Sequence, residues 1–155
     1  LIVVTGHEAG KVTAALSGLD ATFVHNPHYA NGMSTSVRAG FSALPGKTDA
    51  ALVCLGDMPT ITARMLNALI AAYDPVEGRA IVVPVHAGKR GNPIIWDHRF
   101  FEEMQELEGD KGARGLLAEF ANLVVEVEMP DDAIHLGIDT PEMLEDAGGS
   151  LEQAK

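Results

Sequence analysis

Two stretches run from an apolar segment into an acid with a proline two residues on. LVCLGDMPT, residues 52 to 60, reaches Asp57 before Met58 and Pro59; IHLGIDTPE, residues 134 to 142, reaches Asp139 before Thr140 and Pro141. In an open α/β sheet, ligands collect outside the carboxyl ends of the strands. Two carboxylates at neighbouring strand ends suit a divalent cation such as Mg²⁺, which takes oxygen ligands and shares itself with substrate phosphates. The competing role is structural, because Asp and Thr favour helix N-caps and Pro favours the first helical turn. For one such acid alone capping is the better reading; the paired occurrence favours metal.

Three further clusters could handle anions. In HNPHYANGMSTSVRAGFSAL, residues 25 to 44, Gly32, Ser34, Thr35 and Ser36 precede a helical pattern of Val37, Phe41 and Leu44. Small hydroxyl residues at a helix start leave backbone N–H groups open to phosphate. Arg38, four residues after Ser34, shares its helical face and could clamp an anion there. A capped helix with a solvated arginine is the plain alternative. GKRGNP, residues 88 to 93, sets Lys89 and Arg90 between glycines that permit close backbone approach, although an exposed hairpin tip accounts for it equally well. GDKGAR, residues 109 to 114, brings Asp110, Lys111 and Arg114 to another helix start, where capping by Asp110 is the default.

Other chemistries are excluded by spacing. TGHEAGKV follows a strand pattern but has three residues instead of four between Gly6 and Gly10, and Val12 stands where a P-loop needs Ser or Thr. The six histidines, His7, His25, His28, His86, His98 and His135, show no HExxH spacing, and Cys54 has no CxxC partner, which argues against zinc. Cys54 is expected in the core. No G-x-S-x-G elbow marks a serine hydrolase.

The elements that must position these residues follow from periodicity. Strand patterns occupy residues 1 to 5, 21 to 25, 50 to 55, 80 to 85, 92 to 96, 123 to 128 and 134 to 138. Helical stripes fall at 8 to 18 (Val12, Ala15, Leu16), 62 to 73 (Met65, Leu66, Leu69, Ile70) and 111 to 121 (Leu116, Leu117, Phe120). The alternation predicts an α/β fold, a mostly parallel sheet with helices on both faces. Between 80 and 96 no helix separates two strands, which predicts a hairpin or an excursion from the sheet.

With 155 residues, 46% hydrophobic and 21% charged, the chain fits one domain over residues 1 to 147, with a frayed tail from 148 to 155. A net charge of −11 argues against nucleic acid as a partner. No apolar run of about 18 residues argues for a membrane span, and a single cysteine favours a reducing, cytoplasmic setting. The chain opens inside an apolar strand, so residues upstream of Leu1 are expected in the natural protein.

Taken in order, NPHYANGMSTSVRAG, LVCLGDMP, GKRGNP, GDKGAR and GIDTPE resemble the MobA-like NTP transferases over about residues 1 to 147, in particular their molybdenum cofactor cytidylyltransferase branch. The resemblance implies a Rossmann-like nucleotidyltransferase fold and transfer of a nucleoside monophosphate from CTP or GTP to the terminal phosphate of molybdopterin, with release of pyrophosphate. It implies that Asp57 and Asp139 are catalytic and hold Mg²⁺ or Mn²⁺. Asn26, Ser34, Ser36 and Arg38 would lie along the nucleotide, and Lys89, Arg90, Asn92, Asp110 and Arg114 along the pterin substrate. A molybdoenzyme receiving the cofactor is a further implied partner.

Two departures mark this chain. The family's opening loop, LAAGxSxRxG followed by lysine, which cradles the triphosphate, has no counterpart here, and relatives often carry His in place of Asn92. The resemblance therefore implies activity for the parent protein, and leaves a fragment inactive by itself as an alternative. Two other readings stay open: a cytidylyl- or guanylyltransferase for a sugar or isoprenoid-alcohol phosphate, and a non-catalytic domain that binds pterin or a partner enzyme.

Overall fold

The computed structural model describes residues 1–107 and 113–149. In chain order the strands are β1 (Ile2–Thr5), β2 (Thr22–His25), β3 (Ala50–Val53), β4 (Ile81–His86), β5 (Lys89–Arg90), β6 (Ile94–Asp97) and β7 (Val124–Glu128). The α-helices are α1 (Ala9–Ala15), α2 (Met33–Ser42), α3 (Ala63–Ala72), α4 (Phe101–Gln105), α5 (Arg114–Glu119) and α6 (Pro141–Asp146). They divide into two compact units, Leu1–Asp49 with His98–Phe120, and Ala50–Asp97 with Ala121–Lys155.

In the first unit β1 and β2 pair in parallel, Ile2 opposite Thr22 through Thr5 opposite His25, with α1 as the crossover. Parallel neighbours need such a connection, because a tight turn can only reverse the chain. α1 buries none of its residues, so the expected stripe of Val12 and Ala15 stays exposed. Packing falls instead to α2 and α4, where the Phe41 and Phe101 rings meet edge to face, 5.1 Å between centroids.

The second unit is built on one mixed sheet in the order β3, β6, β4, with β7 also on β4. β6 is antiparallel to both β3 and β4, and β7 is parallel to β4. Hence β3, β4 and β7 share one direction, and β6 is inserted among them the other way. The reason lies in the connection after β4, which has no helix. Ala87 and Gly88, both at positive φ (49° and 76°), join His86 to Lys89 as a two-residue hairpin turn. The hairpin predicted between residues 80 and 96 is therefore present.

β4 is almost wholly buried, as its β-branched sequence IVVPVH requires of a central strand. α3 lays Met65 and Leu69 against Val82 and Ile95, and Met129, Ala133 and Ile134 complete this cluster. Ile70, expected in the same stripe, is 56% exposed. The helix meets the sheet along a seam only one residue per turn wide.

Two expectations are corrected. Residues 134 to 138 form no strand; Asp132–His135 is a 3-10 turn whose N-cap, Asp131, accepts the Ala133 N–H at 3.1 Å. The backbone there bonds to two loops and so has no ladder to join. Cys54 is exposed and lies outside the core, because β3 ends at Val53 and the chain has turned outward before the thiol.

Candidate active site

Asp57 lies four residues beyond β3 in a turn that leads to α3. Thr62, and not the acid, caps that helix: its hydroxyl accepts the Met65 N–H at 3.3 Å. The second acid repeats the arrangement. Thr140 caps α6 by accepting the Met143 N–H at 3.3 Å, and Pro141 fills the first helical position. Both threonines take the structural role that the acids competed for in the sequence. Asp57 and Asp139 are left exposed, without an ion-pair partner among the described residues.

The two acids belong to adjoining segments. The Ile138 N–H donates to the Asp57 carbonyl at 2.8 Å, one residue before Asp139. Gly137 faces the Asp57 carboxylate closely enough that a Cβ there would lie 3.4 Å from Oδ2. Just past Asp139, Glu142 is held below the usual carboxyl range by a hydrogen bond from its own backbone N–H and another from the Thr140 hydroxyl.

Beside the Asp57 turn is a half-open concavity of about 210 Å³ lined by Cys54, Leu55, Met58, Ile61, Leu66 and Pro93. No charged side chain lines it. Although Cys54 is exposed as a residue, desolvation by this apolar wall pushes its thiol up, so it stays protonated at neutral pH.

The basic segment of this unit is tied at several points. Arg90 donates from Nε to Glu126 Oε1 at 2.7 Å, an exposed pair of the kind contributing about 0.2–1 kcal/mol. His135 Nε2 meets the Lys89 carbonyl at 3.2 Å, and the Asn92 N–H donates to the Ile134 carbonyl at 3.0 Å. A Cβ on Gly91 would fall 2.3 Å from the Ile134 oxygen, so only glycine fits. Lys89 and Asn92 are thereby placed by the same segment that leads to Asp139, while the Arg90 guanidinium is drawn toward β7.

In the first unit Asn26, 3% exposed, organises the start of α2. Its Nδ2 donates to Thr35 Oγ1 at 2.8 Å and Ser36 Oγ at 3.0 Å, and its Oδ1 accepts the His28 N–H at 2.9 Å. Ser34 is buried in the first turn. The N-cap is Gly32 at φ 104°, which offers no side-chain oxygen; the Thr35 N–H donates to the Gly32 carbonyl at 3.2 Å, and the Met33 and Ser34 N–H groups are the ones that keep anion-binding capacity. Arg38 is exposed on this helix, without an ion-pair partner among the described residues. Asn26, Ser34 and Ser36 thus come together in one unit, and Asp57, Asp139, Lys89 and Asn92 are linked in the other. Asp110 and Lys111 lie outside the described residues, as does the end of the tail, and Arg114 opens α5.

The sequence reading missed Thr62, Ile134, His135 and Gly137. A Thr before a helical stripe was a usable signal for the first. Nothing local could reveal that 134–138 would lie against residues 57 and 89–92.

Among the described residues no group of three or more His, Cys, Asp and Glu could hold a metal ion. A pair of free carboxylates nonetheless fits a hard divalent cation whose other ligands are water and phosphate oxygens. It does not fit zinc, which takes three or four protein ligands rich in nitrogen and sulfur.

The mixed α/β fold, with an unpaired acid just beyond β3 and a second on the segment bonded to it, is that of nucleotidyltransferase-like proteins. Residues 1–125 match the MobA-like NTP transferase domain, and the chain belongs to that family. It is 28% identical over 143 residues to the molybdenum cofactor cytidylyltransferase of Escherichia coli (strain K12), covering 92% of this chain and 70% of the relative. A nucleotidyl transferase from Methanothermobacter thermautotroptrophicus superposes with a TM-score of 0.77 at 25% identity, covering 94% of this chain and 70% of that one. The manganese complex of Rv0371c from Mycobacterium tuberculosis H37Rv superposes with a TM-score of 0.73 at 26% identity, covering 94% and 76%. The family makes the chain an enzyme of nucleotidyl transfer, acting on a nucleotide and a phosphate acceptor. Among the described residues no helix is long and apolar enough to cross a membrane.

Proposed function

We propose that this protein transfers CMP from CTP to the terminal phosphate of a molybdopterin-type cofactor, in a reaction dependent on Mg²⁺ or Mn²⁺. The observation that carries the reading is the hydrogen bond from Ile138 to Asp57, which sets two uncapped, unpaired acids on adjoining segments. In the reaction an oxygen of the acceptor phosphate attacks the α-phosphorus of CTP. The bond between that phosphorus and the α,β-bridging oxygen breaks, and pyrophosphate departs with the electron pair. A cation held by Asp57 and Asp139 would neutralise charge gathering on the leaving group. The protein's own work is mostly positioning: Ser34, Ser36 and Arg38 serve the nucleotide phosphates, with Asn26 holding the helix start that presents them, and Lys89 and Asn92 serve the acceptor.

The E. coli relative's name supports cytidylyl transfer in molybdenum cofactor maturation, and a manganese complex of a relative supports a divalent metal. A cytoplasmic location, with transfer of the product to a molybdoenzyme, accompanies this reading. The concavity beside Asp57 favours an acceptor with a planar or apolar body, since its lining side chains offer a sugar no hydroxyl, amide or charge. The test is pyrophosphate release by the protein given Mg²⁺, molybdenum-loaded molybdopterin and either CTP or GTP. Release with CTP, abolished in Asp57→Asn, is the expected result. Release with GTP alone reassigns the nucleotide, release only with an isoprenoid-alcohol or sugar phosphate reassigns the acceptor, and no release under any of these conditions ends the reading.

A further inference from the structure

The Lys89–Asn92 segment and the acid pair are remote in sequence, yet a single stretch of chain touches both. Ile134 and His135 take up the 89–92 side: the Ile134 carbonyl accepts from the Asn92 N–H at 3.0 Å, and His135 Nε2 reaches the Lys89 carbonyl at 3.2 Å. Two residues later Gly137 packs against the Asp57 carboxylate, and Ile138 bonds its carbonyl at 2.8 Å. The intervening backbone has no sheet partner to hold it. Its position is set by these two attachments, with Ile134 fixed at one end by burial in the core, 1% exposed.

We infer that residues 134–138 form a strap that registers the basic hairpin against the two acids, with Gly91 and His135 as positioning residues for a cation they never touch. This rests on the metal-binding reading of Asp57 and Asp139 proposed above. A Cβ at residue 91 would stand 2.3 Å from the Ile134 oxygen and 2.8 Å from its Cγ1, distances that backbone and buried side chain cannot tolerate. Because Ile134 is buried, relief comes from shifting the strap. That shift moves Ile138 and Asp139, four and five residues along the chain from Ile134, relative to Asp57. His135 acts more gently from the surface, where its loss frees the strap from the Lys89 carbonyl without a clash. The strap also fixes the spacing between a cation at the acids and an anion at the hairpin, the two charges that a phosphate acceptor must bridge.

The probe is Mn²⁺ alone, titrated into the full chain and followed by the electron paramagnetic resonance signal of free Mn²⁺, with circular dichroism and thermal melts reporting folding. Gly91→Ala is expected to weaken Mn²⁺ binding by about tenfold, the usual scale for losing a group that orients metal ligands. His135→Ala is expected to weaken it by about threefold, and His135→Gln, whose amide can still donate to the Lys89 carbonyl, to return it to within about twofold of the parent. Combining Gly91→Ala with His135→Ala is expected to add little, since both act through one strap. Folded Gly91→Ala with unchanged Mn²⁺ affinity overturns the inference, as does His135→Gln binding no better than His135→Ala. If Gly91→Ala does not fold, the two His135 variants decide. If the parent shows no Mn²⁺ binding that Asp57→Asn removes, the metal reading itself fails and the strap loses its purpose; unchanged affinity in the strap variants defeats the strap alone.

Discussion

The backbone N–H of Ile138 donates to the carbonyl of Asp57 across 2.8 Å, joining two loops separated by eighty residues of sequence. Each of those loops then starts a helix on a threonine cap, Thr62 or Thr140. The division of labour is chemical. A hydroxyl can satisfy a helix N–H without bringing net charge, which frees the carboxylate next to it for a cation.

Asp57→Asn and Asp139→Asn are each expected to reduce pyrophosphate release by at least about a hundredfold, since each removes a charged ligand at the point of phosphoryl transfer. Because both side chains are exposed and neither caps a helix, stability should change by no more than about 0.5 kcal/mol. Urea melts beside the assay separate the two effects. Loss of activity that merely follows unfolding would restore a structural role.

Thr62→Ala and Thr140→Ala should behave in the opposite way. Each deletes a cap worth about 1 kcal/mol, with the larger melting shift at Thr62 because α3 carries Met65 and Leu69 into the core. Thermal melts of the two variants check the order.

For Asn26→Ala the expected outcome is a loss of about 1–3 kcal/mol, because the change strips a buried network of its central donor and acceptor. CTP binding should weaken while Mn²⁺ affinity does not. Calorimetric titration with CTP, compared with Arg38→Ala at unchanged stability, tests whether this helix start serves the nucleotide.

Acidification addresses α6. The Glu142 carboxyl, normally near 4.5, is lowered by the hydrogen bonds from its own N–H and from Thr140. A depressed acid stabilises the fold above its unfolded value and loses that contribution as pH falls through its folded value. Local order at Thr140 and Glu142 should therefore hold at pH 6 and fade below about 4.5, earlier in Thr140→Ala. Amide chemical shifts across residues 139–144, followed by pH titration, report it. A transition that ignores the Thr140 substitution would remove the hydroxyl from the account.

The larger elements were legible because their signals are local. Alternating β-branched and helical patterns placed most of the strands within about two residues, and the missing helix after residue 85 announced the hairpin. Asp57 and Asp139 stood out for the same reason, as acids interrupting apolar runs. Residues 134–138 misled, since IHLGI has the composition of a strand, but its hydrogen bonds go to residues 57 and 92, a choice decided by tertiary partners that no window of sequence contains. Cys54 misled through two residues of boundary error, since the strand expected to reach residue 55 ends at Val53, enough to carry a thiol from core to surface. The Asn26 network was hidden because a buried amide looks the same in sequence as a solvated one.

The reversed direction of β6 bears on the order in which the molecule assembles. β4, β5 and β6 can close over short loops, whereas β3 finds its place only against a completed β6, some forty residues downstream. Contacts between distant segments are the slow ones to form. The Asp57 turn, which hangs from β3, and its bond to Ile138 should accordingly be among the last parts of this unit to gain protection in pulsed amide exchange during refolding, so that the chain acquires its acid pair only after the scaffold beneath it has set.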